Sequence, residues 1–136
     1  MILYDFLMSP KKIVFTEHAP KPVGPYSQAV IHNGLVYCSG QIAINPDTGA
    51  LILESIELET KQVLTNLNAV LDAANSSLDD VIKVSIFVSD IRQFDAINAV
   101  YETFFSESKP ARALVQVAAL PKGVNIEVEA IAISHD

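Results

Sequence analysis

KPARALVQVAALPKGVNIEVEAIA, residues 109–132, contains two alternating apolar runs separated by Pro121 and Gly123, and reads as two strands joined by a turn. Three charged residues, Arg112, Glu127 and Glu129, fall inside these strands. Side chains on a strand alternate between faces, so Arg112, Leu114 and Gln116 share one side, and Ala113, Val115 and Val117 the other. Asn125, Glu127 and Glu129 likewise share a face. Both polar sets are expected to point away from the apolar, helix-facing side. If the strands are antiparallel neighbours, an arginine and a carboxylate approach each other on that open face.

Upstream, VIKVSIFVSD (residues 81–90) predicts a half-buried strand, with Ile82, Val84, Ile86 and Val88 on one side and Lys83 and Ser85 on the other. Asp90 and Gln93 form a capping-box pattern for a helix whose apolar face is Phe94, Ile97, Tyr101 and Phe104 or Phe105, broken at Pro110. An earlier helix starts at Ser55, carries Glu57 and Glu59 at its positive end, buries Val63, Leu67, Val70, Leu71 and Ala74, and stops at Asn75. Before it, Asn33-Gly34 sits between two apolar runs as a two-residue hairpin turn, joining strands 28–32 and 35–40. KKIVFT is a short strand, and the proline-rich EHAPKPVGPYSQ an extended loop carrying Tyr26 and Gln28.

The order is three strands, helix, strand, helix, two strands, with no repeat and no linker. At 136 residues and half apolar, the chain has enough material for one core, so residues 1–136 are read as one domain. About the first 12 residues form an N-terminal extension, and Met8 ahead of SPKKIVF suggests a misassigned start. Two helices cover only one face of such a sheet. With charged residues at 18% and mean hydropathy of +0.32, the other face is expected to meet further copies of the chain.

Composition also excludes classes of function. The net charge is −7 and no Lys/Arg run exceeds two residues, so nucleic acid has no electrostatic track. The apolar start is too short to span a bilayer, and its lysines follow the apolar patch; no membrane or secretory role is expected. One cysteine, Cys38, allows no intrachain disulfide, and a reducing, cytoplasmic setting fits best. His18, His32 and His135 lack ligand spacing, so no metal is expected. No base is placed by motif for Ser39 or Cys38, and there is no GxGxxG or P-loop. Tyr26 reads equally as a hydrophobic plug or a ligand contact. Arg112 with Glu127 is either a structural ion pair or solvated face, or else an anion clamp, in which the guanidinium fork takes a carboxylate in parallel hydrogen bonds and a glutamate handles water.

GPYSQAV, SGQIAINPDTG, INAVYETFF, PARALVQVAALPKG and IEVEAIA occur in this order. With them the chain resembles the Rid (YjgF) family of reactive-intermediate deaminases, from about Thr16 to Ser134. The resemblance implies an α+β fold of the chorismate-mutase type, a mixed sheet with two helices on one face, assembled as a homotrimer with sites in the intersubunit clefts. It implies cofactor-free hydrolysis of 2-imino acids, such as 2-iminopropanoate and 2-iminobutanoate, to 2-keto acids and ammonia. By matching motif positions, Arg112 grips the substrate carboxylate and Glu127 holds the attacking water. Tyr26, Ser39, Asn98 and Leu114 line the substrate cleft with Arg112, and Gln28 and Glu129 are nearby. Leu114 stands where many deaminase members have cysteine, and SESKPAR is shorter than the usual segment before the PAR motif. A non-catalytic trimer that binds small carboxylates or keto acids, as sensor or enzyme partner, is the alternative. A third, an endoribonuclease acting as translation inhibitor, is opposed by the acidic balance.

Overall fold

The alternating segments become six strands in a computed structural model that describes residues 10–136. They are β1 (Lys12–Val14), β2 (Ala29–His32), β3 (Leu35–Gln41), β4 (Val81–Val88), β5 (Ala111–Gln116) and β6 (Ile126–Ile133). The helices are α1 (Ile56–Ala73) and α2 (Phe94–Phe105). The proposed misassigned start and most of the extension lie outside the described residues. Asn33 and Gly34 take φ values of 51° and 79°, the left-handed pair that a tight hairpin between β2 and β3 requires. Ser55 accepts a hydrogen bond from the Leu58 amide to cap α1, and Asn75, with φ of 53°, follows the helix end. The second start differs from the capping box. Asp90 caps a short 3₁₀ turn over Ile91–Gln93 by accepting from the Arg92 amide, and Gln93 makes no side-chain capping bond.

One sheet forms in the order β1-β2-β3-β6-β4-β5. All pairs are antiparallel except β4 with β5, which run parallel because α2 carries the chain back between them. This corrects the expected neighbours: β5 pairs with β4, and β4 separates it from β6. Both helices cover the face that carries Val36, Cys38, Val84, Ile86, Val128 and Ala130, and α1 adds Val63, Leu64, Leu67, Val70 and Leu71, all buried. Ile82 is not part of this core. A register shift between Val81 and Lys83 turns Val81 inward and leaves Ile82 exposed.

Three buried polar side chains tie irregular segments to this frame. Gln28 accepts from the Thr16 amide at 2.7 Å and donates to the carbonyls of Thr16 and Pro20 at 3.0 and 2.9 Å. Asn66 of α1 donates to the carbonyls of Ile42 and Ile44 at 3.1 and 2.9 Å. Glu59, fully buried, accepts from the backbone and side-chain amides of Asn125, each at 2.7 Å. Its carboxylate is thus a staple holding the entry to β6, beyond its place in the first turn of a helix. Glu59→Ala leaves the Asn125 donors unpaired in the interior, and is expected to destabilise the fold by about 3 kcal/mol in urea titration. A loss below about 0.5 kcal/mol would disprove the staple.

Candidate active site

Register decides where each candidate residue points. Arg112 lies opposite Val84 and Leu114 opposite Ile86 on β4, both core residues, so these two side chains occupy the helix-covered face. Glu127 lies opposite Phe87 and Glu129 opposite Ser85, which places both on the open face. The expectation of a shared face for Arg112 and Glu127 is therefore wrong. Within one chain the two charges stand on opposite sides of the sheet, and a structural ion pair between them is ruled out.

The open-face half is a cleft of about 440 Å³ lined by Tyr26, Ser39, Gly40, Glu127 and Glu129, with Lys122 and Pro121 at its edge. Pairing of β3 with β6 shifts register between Cys38 and Gln41, so Ser39 and Gly40 leave the regular ladder as a bulge does. Ser39 donates its hydroxyl to the Ser27 carbonyl at 2.6 Å and has no base beside it in this network. At Gly40 the Glu127 carboxylate lies against the backbone: a Cβ there would stand 2.8 Å from the Glu127 Cδ and overlap its Oε2. A side chain there would push the carboxylate aside, so glycine at this position lets Glu127 lie against the backbone. Among the described residues Glu127 has no hydrogen-bond or ion-pair partner. Burial first, and the neighbouring negative charge of Glu129 second, push its carboxyl above the usual carboxylate range. Glu129 therefore shares the cleft and raises the proton affinity of Glu127.

Tyr26 is half exposed at the mouth, its hydroxyl accepting from the Val23 amide at 3.3 Å. Gln28 is 2% exposed and takes no part in the cleft wall through Ser39 and Glu127; its bonds hold the proline-rich loop that presents Tyr26. Cys38 faces the core, and burial pushes its thiol up to about 12, which removes it as a nucleophile. Among the described residues no group of three or more His, Cys, Asp or Glu is arranged to hold a metal, and no helix is long and apolar enough to cross a membrane.

The other half is a pocket of about 400 Å³ between α2 and the start of β5, lined by Asn98, Tyr101, Glu102, Lys109 and Arg112 among others. Arg112 donates from Nη1 to Asn98 Oδ1 at 2.6 Å. Its Cζ stands 4.7 Å from the centre of the Tyr101 ring and 5.7 Å from that of Phe94. No carboxylate pairs with it among the described residues. Leu114 is half-buried and packs against the core, so Arg112 is the strand's polar contribution to this pocket. Sequence reasoning missed the aromatic support: Tyr101 and Phe94 were legible only as helix-face apolar residues. Their spacing from Asn98, four residues after Phe94 and three before Tyr101, was the available signal.

The geometry thus gives two separate half-sites, one with the Glu127 carboxylate and one with the Arg112 guanidinium, neither in an ion pair among the described residues. The family model described as endoribonuclease L-PSP matches residues 16–134. A RutC family protein of Pyrococcus horikoshii is 51% identical over 122 residues, 90% of this chain and 97% of that protein. The 2-iminobutanoate/2-iminopropanoate deaminase of Bos taurus is 45% identical over 123 residues, 90% of each. Among solved structures, YyfA of the Rid family from Yersinia pestis superposes with a TM-score of 0.89 at 46% identity, covering 91% of this chain and 99% of that one. By motif, fold and extended sequence identity, this chain belongs to the Rid (YjgF) family.

Proposed function

We propose that the chain is a cofactor-free deaminase that hydrolyses small 2-imino acids to 2-keto acids and ammonia, in a cleft shared between subunits of a homotrimer. The observation that carries this reading is a pair of opposite charges on opposite faces of the sheet, neither with an ion-pair partner among the described residues. A cation and an anion kept apart within one chain are available to one ligand only where two chains meet. An uncovered apolar face favours such a meeting: Ile13, Tyr37, Val115 and Ile133 are each more than 40% exposed there. The deaminase name of the bovine relative supports the chemistry.

In this reading Arg112 of one subunit takes the substrate carboxylate in its fork of donors. Glu127 of the neighbour, ionised, accepts a proton from a water as that water's oxygen bonds to the imine carbon. The C=N π electrons move to nitrogen, and the proton held on Glu127 is returned there. Glu127 then carries the proton of the new hydroxyl to nitrogen as the C–N bond breaks, so that ammonia leaves, the keto C=O forms and Glu127 is again ionised. An iminium carbon is already electrophilic, so positioning and one acid/base suffice. The ribonuclease in the family model's description finds less support: Arg112 and Lys109 share their pocket with Glu102, and the chain carries a net −7.

Mixing subunits tests the shared cleft. Arg112→Ala and Glu127→Gln chains, each inactive alone, are expected to recover roughly a quarter of wild-type activity when refolded together in equal amounts, since half of all subunits bring each intact residue to a given interface. No recovery in trimers shown to be mixed by mass spectrometry would overturn it. Thermal stabilisation by 2-oxobutanoate without ammonia release from imines would favour the non-catalytic binder instead.

A further inference from the structure

We propose that Tyr101, with Phe94, is a positioning residue for the Arg112 clamp: its ring carries the guanidinium's charge on a π face so that the remaining donors stay free for a ligand carboxylate. The inference rests on the reading of Arg112 as the carboxylate-gripping group. Arg112 is half-buried, and a cation withdrawn from water needs compensation. The usual compensation is an aspartate or glutamate, but such a partner would cancel the charge and occupy the same donors that a substrate must use. Here the compensation is neutral: Asn98 Oδ1 takes one N–H at 2.6 Å, and the rings of Tyr101 and Phe94 stand 4.7 and 5.7 Å from Cζ. The Tyr101 hydroxyl is a second neutral side-chain partner of the guanidinium, and no carboxylate accepts from it among the described residues.

The platform is itself fixed. Tyr101 is 8% exposed and stacks on Phe105 with ring centres 4.6 Å apart. Phe94, Asn98, Tyr101 and Phe105 follow one another at helical spacing, so a single face of α2 holds the guanidinium from one side. Arg112 arrives from β5 on the other. Its direction is thereby set by a helix and a strand rather than by a mobile loop, which is what a preorganised clamp requires.

The test uses the intact assembly, with 2-oxobutanoate binding measured by calorimetry and KM and kcat for imine hydrolysis measured in parallel. Tyr101→Leu removes the π platform; 2-oxobutanoate affinity is expected to fall, and KM to rise, about five- to tenfold, with kcat changed less than about twofold. Tyr101→Phe keeps the ring and is expected to stay within about twofold of wild type. Asn98→Asp sets a carboxylate directly against the guanidinium, and is expected to weaken 2-oxobutanoate binding by tenfold or more without lowering the melting temperature. A lowered melting temperature with unchanged affinity and KM in Tyr101→Leu would overturn the proposal, leaving the ring a packing residue only. Should Tyr101→Leu not fold, Phe94→Leu, at a 38% exposed position, carries the same expectation and the same refutation. If Arg112→Ala binds 2-oxobutanoate like wild type, the clamp itself fails and takes the platform with it. If Arg112→Ala loses binding but both ring variants keep it, the platform alone is wrong.

Discussion

Arg112→Ala is expected to lower the acceleration of 2-imino acid hydrolysis by roughly 10²–10³-fold, the loss of a charge-assisted, two-pronged hold on a carboxylate in a partly dry site. The fold should survive this change. Arg112 sits on an edge strand, is half-buried, and its polar partners are the neutral side chains of Asn98 and Tyr101. Stability is therefore expected to move by only about 1 kcal/mol. Arg112→Lys keeps the charge but not the planar fork, and should retain an intermediate rate. The measurement couples the protein to a threonine dehydratase that releases the imine, with semicarbazide as a competing trap. A variant that clears the imine as fast as wild type would remove Arg112 from the mechanism.

Glu127→Gln carries the second large effect, a fall in kcat of roughly 10²–10⁴-fold, the ordinary contribution of a positioned general base. Glutamine keeps the shape beside Gly40, so a loss of rate without loss of fold isolates the proton-accepting role. The pH dependence follows from the sign of the shift. Burial, reinforced by Glu129, raises the carboxyl above its usual range, and the base works only when ionised. Activity should fall as pH drops through that raised value, giving an acid limb higher than an ordinary glutamate's, and Glu129→Gln should move the limb downward. Stability has the opposite slope. The folded chain holds this proton more tightly than the unfolded one, so the contribution is present below the unfolded value and lost as pH rises through the folded one. Glu127→Gln should flatten that slope in denaturant titrations taken across the acid range. An acid limb identical in wild type and Glu129→Gln would show that the neighbouring charge does not act on Glu127.

Much of the architecture was legible because its causes are local. Asn33-Gly34 favours the left-handed backbone of a tight hairpin, Ser55 caps a helix through an amide three residues on, and period-two apolar runs make strands of residues 81–88 and 126–133. The motifs around Tyr26, Ser39, Asn98, Arg112 and Glu127 also pointed to the family. Glu59, Asn66 and Gln28 were not legible as staples, because their partners lie 66, 24 and 12 residues away and nothing in the local pattern marks a polar residue for burial. Gly40 gave no sign of its role until β6 set Glu127 against it.

The chain's own order of residues determined which side chains share a strand face, since alternation is a property of the extended backbone. It could not determine which face turns inward. That depended on β5 joining β4 in parallel through α2 rather than folding back on β6, a choice made by the packing of α2 and the sheet over long range. The pairing turns Arg112 toward the aromatic rings of α2 and leaves Glu127 on the uncovered face, so two charges that alternation alone set side by side are kept apart by the thickness of the sheet.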